Sequence, residues 1–152
     1  MTKRMIVATL SLAGIFVALY LLLYKLGIVG NLACSIGSCE TVNLSKWATF
    51  LGAPVAAWGV GFYIVMFVLA LASLQDRYAE SVGMSKILAL VSGSGFAFSA
   101  WLTYLELFVI QAVCQWCVVS AVIVTIIVIF ALLDLRDRSS VAGLDSSTLQ
   151  DL

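Results

Sequence analysis

Four stretches without a single charge confine what this chain can fold into: Met5 to Tyr24, Pro54 to Gln75, Ile87 to Leu105 and Cys114 to Leu133. A helix rises 1.5 Å per residue, so roughly 20 apolar residues cross a hydrocarbon layer of about 30 Å, and each stretch supplies or nearly supplies them. The remaining composition agrees. Of 152 residues 63% are hydrophobic and 11% charged, whereas soluble domains are about half apolar and a quarter charged. With eight basic against eight acidic residues the formal net charge is zero, which leaves no basic surface for nucleic acid.

Strands are a poor solution for these segments. Barrel strands alternate in polarity, and Val122 to Leu133 is apolar all round. In lipid every backbone polar group must be satisfied, and a helix does this within its own segment. The expected class is therefore an all-α membrane bundle of four transmembrane helices, with spans of about 5–24, 54–75, 87–107 and 114–133 in one domain, 1–138. The tail 139–152, rich in Ser and Asp, is expected to be a disordered cytoplasmic segment. Lys3 and Arg4 precede an apolar run longer than a secretory signal core, and no small-residue cleavage site closes it before Lys25, so the first span reads as an uncleaved anchor.

Orientation follows from the basic flanks. With the N-terminus cytoplasmic, that side holds Lys3, Arg4, Arg77, Lys86, Arg136 and Arg138, and the other holds Lys25 and Lys46. Both termini then lie inside, in the plasma (inner) membrane. Small-residue pairs among Gly93, Ser94, Ala97 and Ala100, together with Gly59 and Gly61, read as helix-contact positions. Glu106 is an intramembrane carboxylate, which in general signals function; it sits near the outer end of its span, where water or headgroups are within reach.

In this topology all four cysteines, Cys34, Cys39, Cys114 and Cys117, fall on the periplasmic or extracellular face, the oxidising side. Cys114-Gln115-Trp116-Cys117 is a C-x-x-C whose second cysteine enters the first turn of the fourth helix, where the helix dipole favours a thiolate. Cys34 and Cys39 flank four small or flexible residues, and Gly37 can supply a positive φ for a turn between them. A pair closed over so short a loop adds little stability, so it suits exchange better than bracing. A Cys₄ zinc site competes for the four thiols, but the chain has no His and no metal is expected. Two dithiols at one face suggest a relay that ends on a lipid-soluble two-electron acceptor, a quinone. The alternative is a non-catalytic membrane scaffold or channel with two structural disulfides.

After Cys39, residues 40–54 read as a short interfacial helix lying over the bundle. Asn43 or Ser45 can cap its start, Trp47 and Phe50 can anchor it, and Gly52 with Pro54 can end it.

The combination of Cys34-x₄-Cys39, Ser45 six residues on, Trp47-Ala48-Thr49-Phe50-Leu51-Gly52-Ala53-Pro54-Val55, and Cys114-Gln115-Trp116-Cys117 resembles the vitamin K epoxide reductase family in its prokaryotic branch, over about residues 5 to 135. That branch does the work of the disulfide bond formation protein B. The resemblance implies a thiol:quinone oxidoreductase in which Cys114 and Cys117 are the active pair, with Cys117 facing the quinone. It makes Cys34 and Cys39 the shuttle pair, with Cys39 exchanging with Cys114 and Cys34 meeting the partner. It also places the Ser45 hydroxyl against a quinone carbonyl, the quinone being ubiquinone, menaquinone or a relative. Many bacterial members add a thioredoxin-like domain. Here a separate thioredoxin-fold partner on the outer side is expected instead. The tyrosine that animal members carry four residues after the C-x-x-C is Ala121, which favours quinone reduction over epoxide reduction.

Overall fold

The computed structural model describes residues 2–35, 37–79 and 81–150. Helix α1 (Thr2–Lys25) leads into a loop that carries α2 (Cys39–Leu44), a 3₁₀ turn (Lys46–Ala48) and a minimal hairpin, β1 (Thr49–Phe50) and β2 (Ala53–Pro54). Next come α3 (Val55–Ala72), the single turn α4 (Asp76–Ala79), α5 (Val82–Tyr104) running into a π-helical turn (Leu105–Ile110), and α6 (Gln115–Gln150). Four of these helices are long and apolar enough to cross a membrane, so the chain is a multi-pass, all-α membrane protein.

α1 is the centre of the bundle, packed on α3 on one side and on α6 on the other, while α5 packs on α6 and touches α3 less extensively. Close approach is set by glycines. A Cβ on Gly14 would lie 2.4 Å from the Tyr63 ring, and one on Gly95 would lie 2.3 Å from Phe62, so α1–α3 and α3–α5 pack backbone against aromatic ring. Of the small residues singled out by sequence, Gly59 meets Ala18, whereas Gly61 and Gly93 face open space. The core proper is an apolar stack of Val7, Tyr63, Met66, Leu88 and Ile127.

One end of the bundle is tied by a buried ion network. Arg4, 1% exposed, donates to Asp134 Oδ2 at 3.0 and 3.1 Å, to Ser85 Oγ at 2.8 Å and to the backbone carbonyls of Ser73 and Tyr78. Ser85 and Arg138 donate to the same carboxylate. A guanidinium has five N–H donors in a fixed fork, and here they join α1, α5, α6 and the α3–α4 connection. Among the described residues no buried side-chain polar atom lacks a partner.

α6 continues to Gln150, where the sequence reading expected a tail without secondary structure from Ser139. The hydroxyls of Ser139 and Ser140 donate back to the carbonyls of Leu135 and Arg136 one turn earlier, a local bond that serines can make within a helix. Asp151 and Leu152 lie outside the described residues.

The segment over the opposite end also differs in detail from the single helix expected. α2 begins at Cys39 itself, directly after Ser38, and Ser45 stands at its C-terminal boundary, with φ −63° and ψ 156°. The chain then turns back through Leu51 and Gly52, both at positive φ (52° and 81°), which is the two-residue turn that suits a tight hairpin. Phe50 stacks edge-on with Trp58, Phe98 and Trp101, and the Trp58 indole N–H donates to the Phe50 carbonyl at 3.1 Å. The hairpin is thus stapled to α3 and α5 by an aromatic cluster of the kind found at membrane interfaces.

Candidate functional site

Cys34 and Cys39 form a disulfide, and Cys114 and Cys117 are thiols. All four lie at the α2 end of the bundle. Cys39 and Cys114 belong to one buried apolar cluster with Leu21, Leu32 and Val42, against which Cys34 and Cys117 pack.

Three sets of contacts hold the loop of the first pair against the second. Gly37 and Cys114 form an antiparallel bridge, and the Ser38 N–H donates to the Val113 carbonyl at 3.0 Å. Gly37 is at φ +89°, and a Cβ there would stand 2.2 Å from the Val113 oxygen, so only glycine permits this approach. The two residues inside the C-x-x-C complete the clamp. The Gln115 side-chain oxygen accepts from the Ser35 N–H at 3.1 Å, and the Trp116 indole N–H donates to the Ala33 carbonyl at 2.9 Å. Tyr20, edge-on to Trp116, accepts from the Ala33 N–H. Cys34 is therefore bracketed by backbone bonds on both sides.

The local geometry assigns the helix terminus to the first cysteine of the C-x-x-C. Cys114 precedes α6, and the Cys117 N–H donates to Cys114 Sγ at 3.4 Å. Sequence had placed this advantage on Cys117, but an N-cap side chain receives the N3 amide, so the sulfur that collects the helix N–H groups is Cys114. A hydrogen bond from the Cys117 thiol holds the Cys114 thiol below its usual range, outweighing the opposing effects of burial and the Glu106 charge; the Cys117 and Trp116 amides add to the lowering. Low values favour the thiolate, the species that exchanges with disulfides.

Glu106 is 6% exposed, contrary to the expectation that it reaches water or headgroups. It lies in the π-helical turn, a local widening often found at functional positions. Its carbonyl accepts the N–H groups of Gln111, which is left-handed at φ 54°, and Ala112, and its carboxylate accepts the Cys114 N–H at 3.3 Å. One residue thereby shapes the whole turn that delivers the C-x-x-C.

Beneath the α2 segment lies a cavity of about 370 Å³, bounded by Val42, Asn43, Ser45 and Trp47 from above and by α1, α3, α5 and α6 around it. Cys117 and Glu106 reach its wall, and Phe62, Gly95 and Phe98 line the side between α3 and α5. Sites for small apolar ligands have this make-up, a mostly hydrophobic wall with a few placed polar groups. Ser45 is in the wall, but its hydroxyl donates to the Val42 carbonyl at 2.7 Å; it caps the end of α2, not its start. Asn43, read from sequence only as a possible cap, is a second polar wall residue, and one of its amide hydrogens goes to the Cys39 carbonyl at 3.3 Å. Among the described residues no three His, Cys, Asp or Glu side chains converge as metal ligands would.

Sequence reasoning thus named the four cysteines and Ser45, and the structure brings all five to one end. It missed the clamp made by Gln115 and Trp116, the role of Gly37 in close approach and the wall position of Asn43. The model of the vitamin K epoxide reductase family matches residues 5–132, nearly the whole of the bundle just described. The chain belongs to the vitamin K epoxide reductase family, and it is a membrane oxidoreductase.

Proposed function

We propose that this protein is a thiol:quinone oxidoreductase that forms disulfides on the outer side of the plasma (inner) membrane. It takes electrons from a separate thioredoxin-fold protein and delivers them to a membrane quinone. The observation that carries this reading is the shared wall: the cavity under α2 contains Cys117, while Cys114, three residues earlier, is bridged to the loop of the Cys34–Cys39 disulfide. A path from an exchangeable disulfide to an apolar cavity, through one dithiol, is what such a reaction requires. The basic flanks supply the orientation, with both termini cytoplasmic and the cysteines facing the oxidising compartment.

The residues present fit a quinone. The cavity is walled by aromatic and aliphatic side chains, flanked by Phe62 and Phe98 toward α3 and α5, and offers Ser45 and Asn43 as polar groups in the wall that Cys117 shares. A bound quinone supplies a two-electron, two-proton acceptor. Phe62, Phe98 and Trp47 would hold its ring or tail, and Asn43, with a second N–H to give, would orient a carbonyl. Ser45 can do the same once its hydroxyl turns from Val42.

In the direction of work, Cys34 receives the partner's thiolate, forming a mixed disulfide and releasing Cys39 as a thiolate. The partner's second thiol then attacks that bond and leaves oxidised. Cys39 next attacks an oxidised Cys114–Cys117 pair at Cys114, and Cys34 closes the Cys34–Cys39 disulfide with Cys114 and Cys117 left as a dithiol. In this reading, the first pair oxidised with the second reduced is the state from which electrons leave for the cavity.

The test is quinone reduction by purified protein with a reduced thioredoxin-fold substrate, followed optically. Turnover that disappears in both Cys114→Ala and Cys117→Ala is the expected result. Cysteines that resist mild reductant and a protein that leaves quinone untouched would instead fit a scaffold with static disulfides.

A further inference from the structure

A dithiol that passes two electrons into an apolar cavity must also part with two protons, and the relay above names no acceptor for them. The cavity wall contains one carboxylate. Glu106 is buried in the π-helical turn, its oxygen accepts the Cys114 N–H, and it shares the cavity wall with Cys117, three residues further on from Cys114. No ion pair among the described residues includes it. A buried carboxylate costs several kcal/mol to keep unpaired, so its retention beside a thiol calls for a chemical reason.

We propose that Glu106 is a catalytic residue, the base that takes the proton from Cys117 as its sulfur is oxidised and returns it to an oxygen of the reduced acceptor. This rests on the thiol:quinone reading and deepens it. In the balance, Cys114 is already a thiolate, its proton given to the aqueous face. The sulfurs of Cys114 and Cys117 give up two electrons and join as a disulfide. The Cys117 proton passes through Glu106 to one quinol oxygen, and one proton from the aqueous face completes the other. Glu106 ends as it began, a carboxylate.

The groups facing the carboxylate are few. The C-x-x-C at the head of α6 presents Cys114, just before the helix, and Cys117, in its first turn. α1 presents Lys25, on the same cavity wall, with its ammonium on the Asn43 carbonyl. α3 presents Tyr63, whose hydroxyl is bonded to Ser120. Lys25 and Tyr63 are thus engaged elsewhere, and Cys114, which receives the Cys117 hydrogen bond, is the sulfur that Cys117 joins in the disulfide and so cannot keep the proton.

The test uses the sign of one effect. Glu106→Gln keeps an oxygen for the Cys114 N–H and removes the base. If Glu106 were only a charge near the thiol, its neutralisation would make Cys117 ionise more readily and react faster with iodoacetamide. As the base it speeds that reaction, so the variant should alkylate Cys117 at least tenfold more slowly at neutral pH, measured by peptide mass spectrometry in reduced, quinone-free protein. Quinone turnover should fall by about a hundredfold, the lower end of what positioned general bases contribute. Unchanged or faster Cys117 alkylation overturns the proposal. If the variant does not fold, wild-type protein decides: a Cys117 alkylation rate flat between the carboxyl and thiol ranges supports the base, and a rise of tenfold per pH unit through neutrality overturns it. Because alkylation needs no quinone, failure here is distinct from failure of quinone reduction.

Discussion

Gly37→Ala isolates the docking of the loop from the chemistry of the thiols. At φ +89° an alanine sits in a region that costs an L-residue roughly 1–2 kcal/mol. Its Cβ would also stand 2.2 Å from the Val113 oxygen, so the bridge must open and the Ser38 to Val113 hydrogen bond is lost, a further 0.5–1.5 kcal/mol or so. Together the docked loop is disfavoured by about 1.5–3.5 kcal/mol, which at 1.36 kcal/mol per factor of ten lowers its population about ten- to a few hundredfold. All four cysteines remain. Turnover driven by a reduced protein partner should therefore fall by that factor, while turnover driven by dithiothreitol, small enough to reach Cys114 once the loop is undocked, should stay within about twofold of wild type. Trapping supplies a second readout: in a Cys117→Ala background, Gly37→Ala should reduce the yield of the Cys39–Cys114 cross-link. Partner-driven turnover at the wild-type level would refute the argument that this bridge delivers the loop to the C-x-x-C.

Other perturbations divide the remaining claims. Cys34→Ala should lose partner-driven turnover far more than dithiothreitol-driven turnover; equal losses would argue against a shuttle. Ser45→Ala removes one hydroxyl bond of about 0.5–1.5 kcal/mol, so quinone use should weaken roughly two- to tenfold; a lowered melting temperature with unaltered quinone kinetics would leave Ser45 only its bond to Val42. The ultraviolet titration of the Cys114 thiolate should lie below that of an ordinary cysteine, about 8.5, with reactivity lost only as pH falls through the lowered value. In Cys117→Ala it should move up, because the hydrogen bond that lowers it is gone. Arg4→Ala leaves the Asp134 carboxylate buried without its main partner and should cost about 3–5 kcal/mol of stability, read as a fall in melting temperature; an unchanged melt would show that the network does not hold the bundle end.

The parts of the fold that rest on one-dimensional signals were legible in the sequence. Charge-free runs located the four spans because lipid penalises any charge along them, and the helix starts and ends lie within about five residues of those runs except at the C-terminus of α6, which continues to Gln150. The segment over the cavity was harder to read. A two-residue hairpin usually announces itself with Asn-Gly or Asp-Gly, and here Leu51 takes the left-handed first position, 80% exposed, with no local signal. The C-x-x-C was visible as spacing, but spacing treats Gln115 and Trp116 as filler. Their bonds to Ser35 and Ala33 span about 80 residues of chain and exist only once α1 and α6 are packed. Arg4 entered the sequence argument as a topology marker and proved to be the hub of the buried network, because its partners Ser85 and Asp134 lie on α5 and α6. The burial of Glu106 likewise depends on the π-helical turn, which hydropathy does not report.

The relay is tested most directly by stoichiometry in a single anaerobic turnover. Fully reduced protein, its four thiols counted, is mixed with an excess of quinone, and quinol and disulfides are measured together. Two quinols per protein are predicted, one for each cysteine pair oxidised, falling to none in Cys117→Ala. Disulfides that appear without an equal amount of quinol, or quinol that still forms without Cys117, would contradict the path from the loop through the C-x-x-C to the cavity.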